Sequence, residues 1–131
     1  FMPCFHCEDP WCVAACPTGA MQKRAKDGII FVDADLCVGC KTCISACPWG
    51  APQWNPEIGK VVKCDYCMDR IDQGLEPACV EAANRVPGGE GALTFGNLAD
   101  PDSEVNRILS SQRTISRRVA LGTGPNVYYI V

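Results

Sequence analysis

Cys37-Val38-Gly39-Cys40-Lys41-Thr42-Cys43-Ile44-Ser45-Ala46-Cys47-Pro48 is the stretch on which the fold turns. Its spacing is Cys-x2-Cys-x2-Cys-x3-Cys-Pro. Three thiols stand close enough to wrap three corners of one cube, and the fourth, stiffened by the proline after it, serves elsewhere. Upstream, Cys4, Cys7, Cys12 and Cys16 form another row of four, again ending in Cys-Pro at Pro17; downstream, Cys64, Cys67 and Cys79 form a row of three. Eleven cysteines in 131 residues is an odd count, which argues against a fully paired disulfide framework. Repeated Cys-x2-Cys turns are chelate rather than cross-link geometry. Thiolate ligands imply a reducing or anoxic setting for assembly and leave the final compartment open.

Bacterial two-cluster ferredoxins use the central run to hold [4Fe-4S] cubanes, with the fourth cysteine of each run serving the other cluster. The expected ligand sets are therefore crossed. One cluster takes Cys4, Cys7, Cys12 and Cys47, and the other takes Cys37, Cys40, Cys43 and Cys16, which places the two cubes close enough for electrons to hop between them. The competing reading of these eight cysteines is a pair of zinc sites, since four-cysteine zinc centres also use Cys-x2-Cys knuckles. Zinc requires neither a third cysteine two residues on nor the Cys-Pro ending. Cys64, Cys67 and Cys79 leave three outcomes open: a fourth ligand from outside these residues and hence a third [4Fe-4S] cluster, a [3Fe-4S] cluster, or relics packed as buried apolar groups.

The chain also repeats itself. Cys12-Val13-Ala14-Ala15-Cys16-Pro17-Thr18-Gly19-Ala20 aligns with Cys43-Ile44-Ser45-Ala46-Cys47-Pro48-Trp49-Gly50-Ala51 at an offset of 31 residues. Each copy reads as a cysteine loop, a short helix around the third and fourth cysteines, a proline stop and a strand pair. In the first copy residues 20–24 and 29–32 flank Lys26-Asp27-Gly28; in the second, 51–54 and 61–63 flank Asn55-Pro56-Glu57-Ile58-Gly59. A third copy, Cys79-Val80-Glu81-Ala82-Ala83, carries alanine at the fourth-ligand position and an insertion. The expected class is α+β: a duplicated ferredoxin-like domain with extra helices and an extended C-terminal tail. Its parts are a two-cluster core over 1–63, the third cysteine motif with its insertion over 64–99, and a C-terminal helix and partner-docking tail over 100–131.

Residues 65–73 and 77–83 suit short helices, Gly74 a helix end, and 93–95 a strand. Asp102 or Ser103 suits a cap for a helix whose Val105, Ile108 and Leu109 share one face. Residues 119–121 and 127–131 read as strands around Gly122-Thr123-Gly124-Pro125-Asn126. Tyr128 to Val131 would lie on a partner or on their own domain, and both remain open.

Twelve basic against fifteen acidic residues give a formal charge of −3, with no basic block of the kind that recruits nucleic acid. No run of about eighteen apolar residues predicts a membrane span, and no charged-then-apolar segment opens the chain. The start, Phe1-Met2-Pro3, stands almost on the first ligand and suggests that sequence precedes it. His6 reads as a loop residue beside a cluster rather than an iron ligand. Trp11, Trp49 and Trp54 read as shields against water. Lys63, Arg70 and Lys41 would raise cluster potentials or form solvated surface. Gly19, Gly39 and Gly50 would let backbone amides approach cluster sulfides, besides serving as plain turns. Nothing forms a catalytic triad, phosphate loop or acid pair, so substrate turnover would belong to a partner.

The rows Cys4-x2-Cys7-x4-Cys12-x3-Cys16-Pro17-Thr18-Gly19-Ala20 and Cys37 to Ala51, with Lys63-Cys64-x2-Cys67, Arg70, Cys79, Phe95-Gly96-Asn97-Leu98, Asp100-Pro101 and the tail Leu121 to Tyr129, closely resemble one family. It is the iron–sulfur electron-transfer subunit of DMSO reductase-type molybdopterin oxidoreductases. The resemblance implies a wire between a molybdopterin or tungstopterin catalytic subunit and a membrane quinone-reactive subunit or other redox partner. Such subunits usually carry four cysteine rows. Here the family's first row is absent and Ala83 replaces the cysteine that would serve the cluster built on it. By the same pairing, the site at Cys64, Cys67 and Cys79 would draw its fourth ligand from the end of that missing row. Two other readings are a free ferredoxin-like carrier and a zinc-organised interaction module.

Overall fold

The first two cysteine rows fold alike in the computed structural model, which describes residues 3–131. In the first, Pro10 enters helix α1 (Trp11–Ala14) with φ −77°, and its carbonyl accepts from the amides of Val13 and Ala14. A proline fits at a helix start because its missing N–H would have had no partner there. Cys12 thus sits in the first turn, and Cys16 just beyond the last, where Pro17 forbids continuation. Strands β1 (Met21–Lys23) and β2 (Ile30–Val32) then pair antiparallel, Met21 opposite Val32 and Lys23 opposite Ile30. Their turn is tied by Asp27, whose carboxylate accepts from the Ile29 amide at 3.2 Å and pairs with Arg24.

The second row repeats this order. Helix α2 (Thr42–Ala46) carries Cys43 and ends at Cys47 before Pro48. Strands β3 (Gln53–Asn55) and β4 (Lys60–Val62) pair with Trp54 opposite Val61. Gly39 has φ +71°, and a Cβ there would stand 2.7 Å from the Gly59 carbonyl oxygen and 3.0 Å from the Trp54 ring, so the loop admits no side chain. Both hairpins were expected from the turn residues between alternating runs.

The chain divides into two units, one comprising residues up to Asp65 with Ser116–Tyr128, the other Tyr66–Ile115 with Tyr129–Val131. The core of the first unit is Cys12, Ala20, Met21, Ile30, Cys37, Cys43 and Val61, with Val13, Cys16, Val32 and Ile44 packed against it. Cysteines make up three of the seven, so thiols occupy space that aliphatic side chains fill in an ordinary core. Residues 123–126 return to the first cysteine loop. The Glu8 amide donates to Gly124 O at 2.8 Å, the Asp9 amide to Thr123 O at 3.0 Å, and the Asn126 amide to Phe5 O at 2.9 Å. Asn126 Nδ2 also donates to His6 O at 2.8 Å and to Glu8 Oε1 at 2.9 Å. Among the described residues no helix is long and apolar enough to cross a membrane.

The second unit holds helices α3 (Met68–Asp72), α4 (Ala78–Arg85) and α5 (Glu104–Ser111) and a short pair, β5 (Thr114–Ile115) with β6 (Tyr129–Ile130). Ser103 caps α5, its Oγ accepting from the Asn106 amide at 3.3 Å. Glu81 of α4 joins Arg70 of α3 to Arg85. Two expected strands are absent. Residues 93–95 pair with nothing, and Phe95 instead sets its ring edge-on to Tyr66 at 5.4 Å. Residues 119–121 form a 3-10 turn between Arg118 at φ 46° and Gly122 at φ 74°. That turn brings the Arg118 guanidinium to Pro48 O at 2.6 Å, a bond that nothing in the local apolar run announces.

Candidate metal centres

The first unit contains two hollows, each ringed by four cysteines. One is lined by Cys4, Cys7, Cys12 and Cys47 together with Phe5, Pro10, Trp11, Ile30, Pro48, Trp49 and Thr123. The other is lined by Cys16, Cys37, Cys40 and Cys43 together with Thr18, Ala20, Met21, Val32, Val38, Lys41 and Val61. In both, three cysteines come from one row and the fourth from the other. The helices make this happen: each delivers its own row's third cysteine in the first turn, and the chain just past its end hands the fourth to the neighbouring hollow. Among the described residues no three His, Cys, Asp or Glu side chains converge as a single ion requires, and none of the eleven cysteines is in a disulfide.

Electrostatics follow the same crossed sets. Burial pushes the Cys12 thiol up to about 12, with further increments from Cys4, Cys47 and Cys7. Burial likewise raises Cys4, which also feels Cys47 and Cys64 and is relieved by Lys63; burial raises Cys43, whose thiol neighbours are Cys16, Cys40 and Cys37. Such thiols resist ionisation in each other's company, and cationic iron supplies the charge that makes them thiolates. The residues present therefore fit iron–sulfur cubanes: four mutually repelling sulfurs surround space rather than a point. At the more open end, Cys40 is exposed and lowered by the Thr42 hydroxyl, which donates to its Sγ at 3.3 Å. Burial works against ionisation of Cys16, but hydrogen bonds from the Met21 amide, at 3.4 Å, and from Thr18 outweigh it and lower the thiol.

One backbone feature recurs at all three rows. The residue before the second cysteine of each Cys-x2-Cys turn is left-handed: His6 at φ 41°, Gly39 at 71° and Tyr66 at 55°. Glycine adopts this without penalty, whereas a left-handed His or Tyr costs about 1–3 kcal/mol, so the turn is held by its surroundings. At His6 the conformation aims the amide at Cys4 Sγ, 3.4 Å away. The same imidazole is buried and accepts the Ile30 amide on Nδ1 at 2.9 Å. Burial first, and the Lys63 charge second, hold it down to about 3 and therefore neutral.

Of the other residues singled out from sequence, Trp49 is buried in the first hollow, 4.3 Å from Phe5 by ring centroids, and Trp11 lines its rim half-exposed. Trp54 lies along the second loop instead, with Lys41 over its ring at 4.2 Å. Lys63 Nζ donates to the carbonyls of Ile30 and Cys64, behind the first hollow, whereas Arg70 is paired to Glu81. Cys64 is half-buried at the end of the first unit's main segment; in the second unit Cys67 precedes α3 with φ 53° and Cys79 is exposed in the first turn of α4. Thr123 was missed, because its place in the first hollow depends on residues more than a hundred positions away.

Two four-cysteine hollows on a repeated helix–hairpin frame define an iron–sulfur protein of ferredoxin type. The family model described as "4Fe-4S dicluster domain" matches residues 2–93, and the chain belongs to that family. Hdr-like menaquinol oxidoreductase iron-sulfur subunit 1 of Archaeoglobus fulgidus is 41% identical over 149 residues, covering 96% of this chain and 54% of that protein. The B subunit of polysulfide reductase from Wolinella succinogenes is 41% identical over 128 residues, covering 97% and 64%. The B subunit of anaerobic dimethyl sulfoxide reductase from Escherichia coli is 54% identical over 79 residues, covering 60% and 38%. The chain thus spans between about a third and two thirds of the length of these relatives. It is an iron–sulfur protein, and [4Fe-4S] clusters are its cofactors.

Proposed function

We propose that the chain is the non-catalytic conducting subunit of an oxidoreductase complex, built on a duplicated ferredoxin-like domain. One [4Fe-4S] cluster is held by Cys4, Cys7, Cys12 and Cys47, and a second by Cys37, Cys40, Cys43 and Cys16. The observation that carries this reading is the pair of hollows ringed by crossed cysteine sets. When bound, each cubane supplies reversible uptake and release of one electron. The protein's own part is to hold thiolates, aim amides and exclude water. Around the first set, Phe5, Trp49 and the returning segment keep water out; around the second, Cys40 stands exposed and offers the nearer approach to an outside donor or acceptor.

A third cluster on Cys64, Cys67 and Cys79 is part of the proposal, with [4Fe-4S] favoured over [3Fe-4S] and the fourth ligand outside these residues. Its support is the Cys-x2-Cys-x11-Cys spacing and the left-handed residue Tyr66, the same turn that the first two rows use. The proposed partners are a molybdopterin or tungstopterin catalytic subunit and a membrane quinone-reactive subunit or other redox partner. Supporting them are the relatives named as subunits of a menaquinol oxidoreductase and of polysulfide and dimethyl sulfoxide reductases.

Gel filtration of an anaerobic native extract separates this from a free carrier. The conducting subunit is expected to migrate with a much larger protein containing molybdenum or tungsten. Elution of the holo-protein alone, with the metal elsewhere, would favour the free ferredoxin-like carrier.

A further inference from the structure

Among the described residues, the first unit has two buried hydrogen-bond donors without a partner that line the hollow ringed by Cys4, Cys7, Cys12 and Cys47. They are the Thr123 hydroxyl and the Trp49 indole N–H. Thr123 is 1% exposed and Trp49 4%, so neither reaches bulk water. Burying a polar group without a partner forfeits its hydration with nothing in return, and native proteins rarely tolerate it. Two such groups on one hollow point to a single acceptor that fills it.

The environment holds both donors in place. Thr123 is fixed by its own carbonyl, which accepts from the Asp9 amide, and by the Gly124 carbonyl, which accepts from Glu8. Gly124 itself has φ +60°, and a Cβ there would stand 2.9 Å from the Glu8 side chain, so this segment seats closely against the first cysteine loop. The Trp49 ring lies against Phe5, with the Arg118 guanidinium 5.8 Å from its centroid on the chain that leads to Thr123. Around the other hollow threonine hydroxyls already meet cysteine sulfur: Thr42 donates to Cys40, and Thr18 lies 3.7 Å from Cys16. Cysteine sulfur is thus an acceptor within reach of threonine hydroxyls at the equivalent hollow, although serine hydroxyls elsewhere donate to carbonyls.

We propose that Thr123 Oγ1 and Trp49 Nε1 donate hydrogen bonds to sulfur atoms of the cluster bound by Cys4, Cys7, Cys12 and Cys47, and thereby raise its reduction potential. The inference rests on the ligand set proposed above. Its physical basis is that reduction adds negative charge to the cluster, and a preorganised donor stabilises the reduced form more than the oxidised one. The C-terminal segment then tunes this cluster as well as covering it.

The test uses the full chain as anaerobically prepared holo-protein. Thr123→Val removes the hydroxyl at nearly constant size, Thr123→Ser keeps it, and Trp49→Phe removes the indole N–H while leaving a ring beside Phe5. Potentials are read by redox titration followed by electron paramagnetic resonance, the relevant signal being the one lost in Cys47→Ala. Thr123→Val and Trp49→Phe are each expected to make one-electron reduction of that cluster about tenfold less favourable, a fall of ~59 mV. Thr123→Ser should stay near the parent, and the other cluster should not move. Iron and acid-labile sulfide on the same samples separate the two claims. Absence of clusters in the parent protein would overturn the ligand reading itself. Loaded variants with unshifted potentials would overturn the hydrogen bonds alone, as would a serine variant shifted as far as valine. If the valine variant fails to load, Trp49→Phe decides: a lowered potential supports the proposal and an unchanged one overturns it.

Discussion

Replacing Cys47 by alanine is expected to abolish the cluster that the Cys4, Cys7 and Cys12 row carries, and to leave the cluster of Cys47's own row in place. Replacing Cys16 should do the converse, removing the cluster of Cys37, Cys40 and Cys43. The expectation follows from the helices. Cys47 follows α2, the helix that carries Cys43, yet it lines the hollow of the first row, and Cys16 stands in the mirrored position after α1. The effect should be all-or-none in the affected signal, because a cube with one bare corner in a partly open hollow is prone to lose iron. Spectra in which each alanine variant loses its own row's cluster would contradict the crossing.

Stripping iron and sulfide from the protein is expected to unfold the first unit. Three of the seven residues in its main core cluster are cysteines, and the large buried apolar side chains of the whole unit are only Phe5, Met21, Ile29, Ile30, Trp49 and Val61 among the described residues. Against this stands a backbone cost of about 1–2 kcal/mol for every ordered residue, in a unit whose hairpins have only three residue pairs each. Buried thiols raised by desolvation add no attraction of their own. Metal binding and folding are then one equilibrium, as in small zinc domains. Near-ultraviolet circular dichroism and amide exchange should both show loss of fixed packing in the apo-protein. An apo-protein that melts cooperatively at the holo temperature would contradict this.

The chemistry was legible in sequence because it is local. The rows Cys-x2-Cys-x4-Cys and Cys-x2-Cys-x2-Cys each keep three thiols near one point, and the proline after each fourth cysteine, Pro17 or Pro48, ends the helix where that thiol lines the neighbouring hollow. The hairpins were legible for a similar reason: Lys26-Asp27-Gly28 is a turn whose side chains make the turn's own bonds, as Asp27 does with Ile29 and Arg24. What sequence did not show depends on distant partners. Residues 93–95 have strand-like composition but no strand to pair with, and the 119–121 run becomes a 3-10 turn so that Arg118 reaches Pro48. His6 and Tyr66 adopt a conformation that Gly39 announces and they do not. Thr123 stands between two glycines in a segment with no regular structure, yet it is among the most buried polar residues described.

The most direct measurement of the central claim is the content of iron and acid-labile sulfide per chain in anaerobically prepared protein. Two crossed clusters require about eight of each, and the third site, if filled by a cubane, brings both to about twelve. About four of each, or a colourless protein carrying zinc without labile sulfide, would contradict the account.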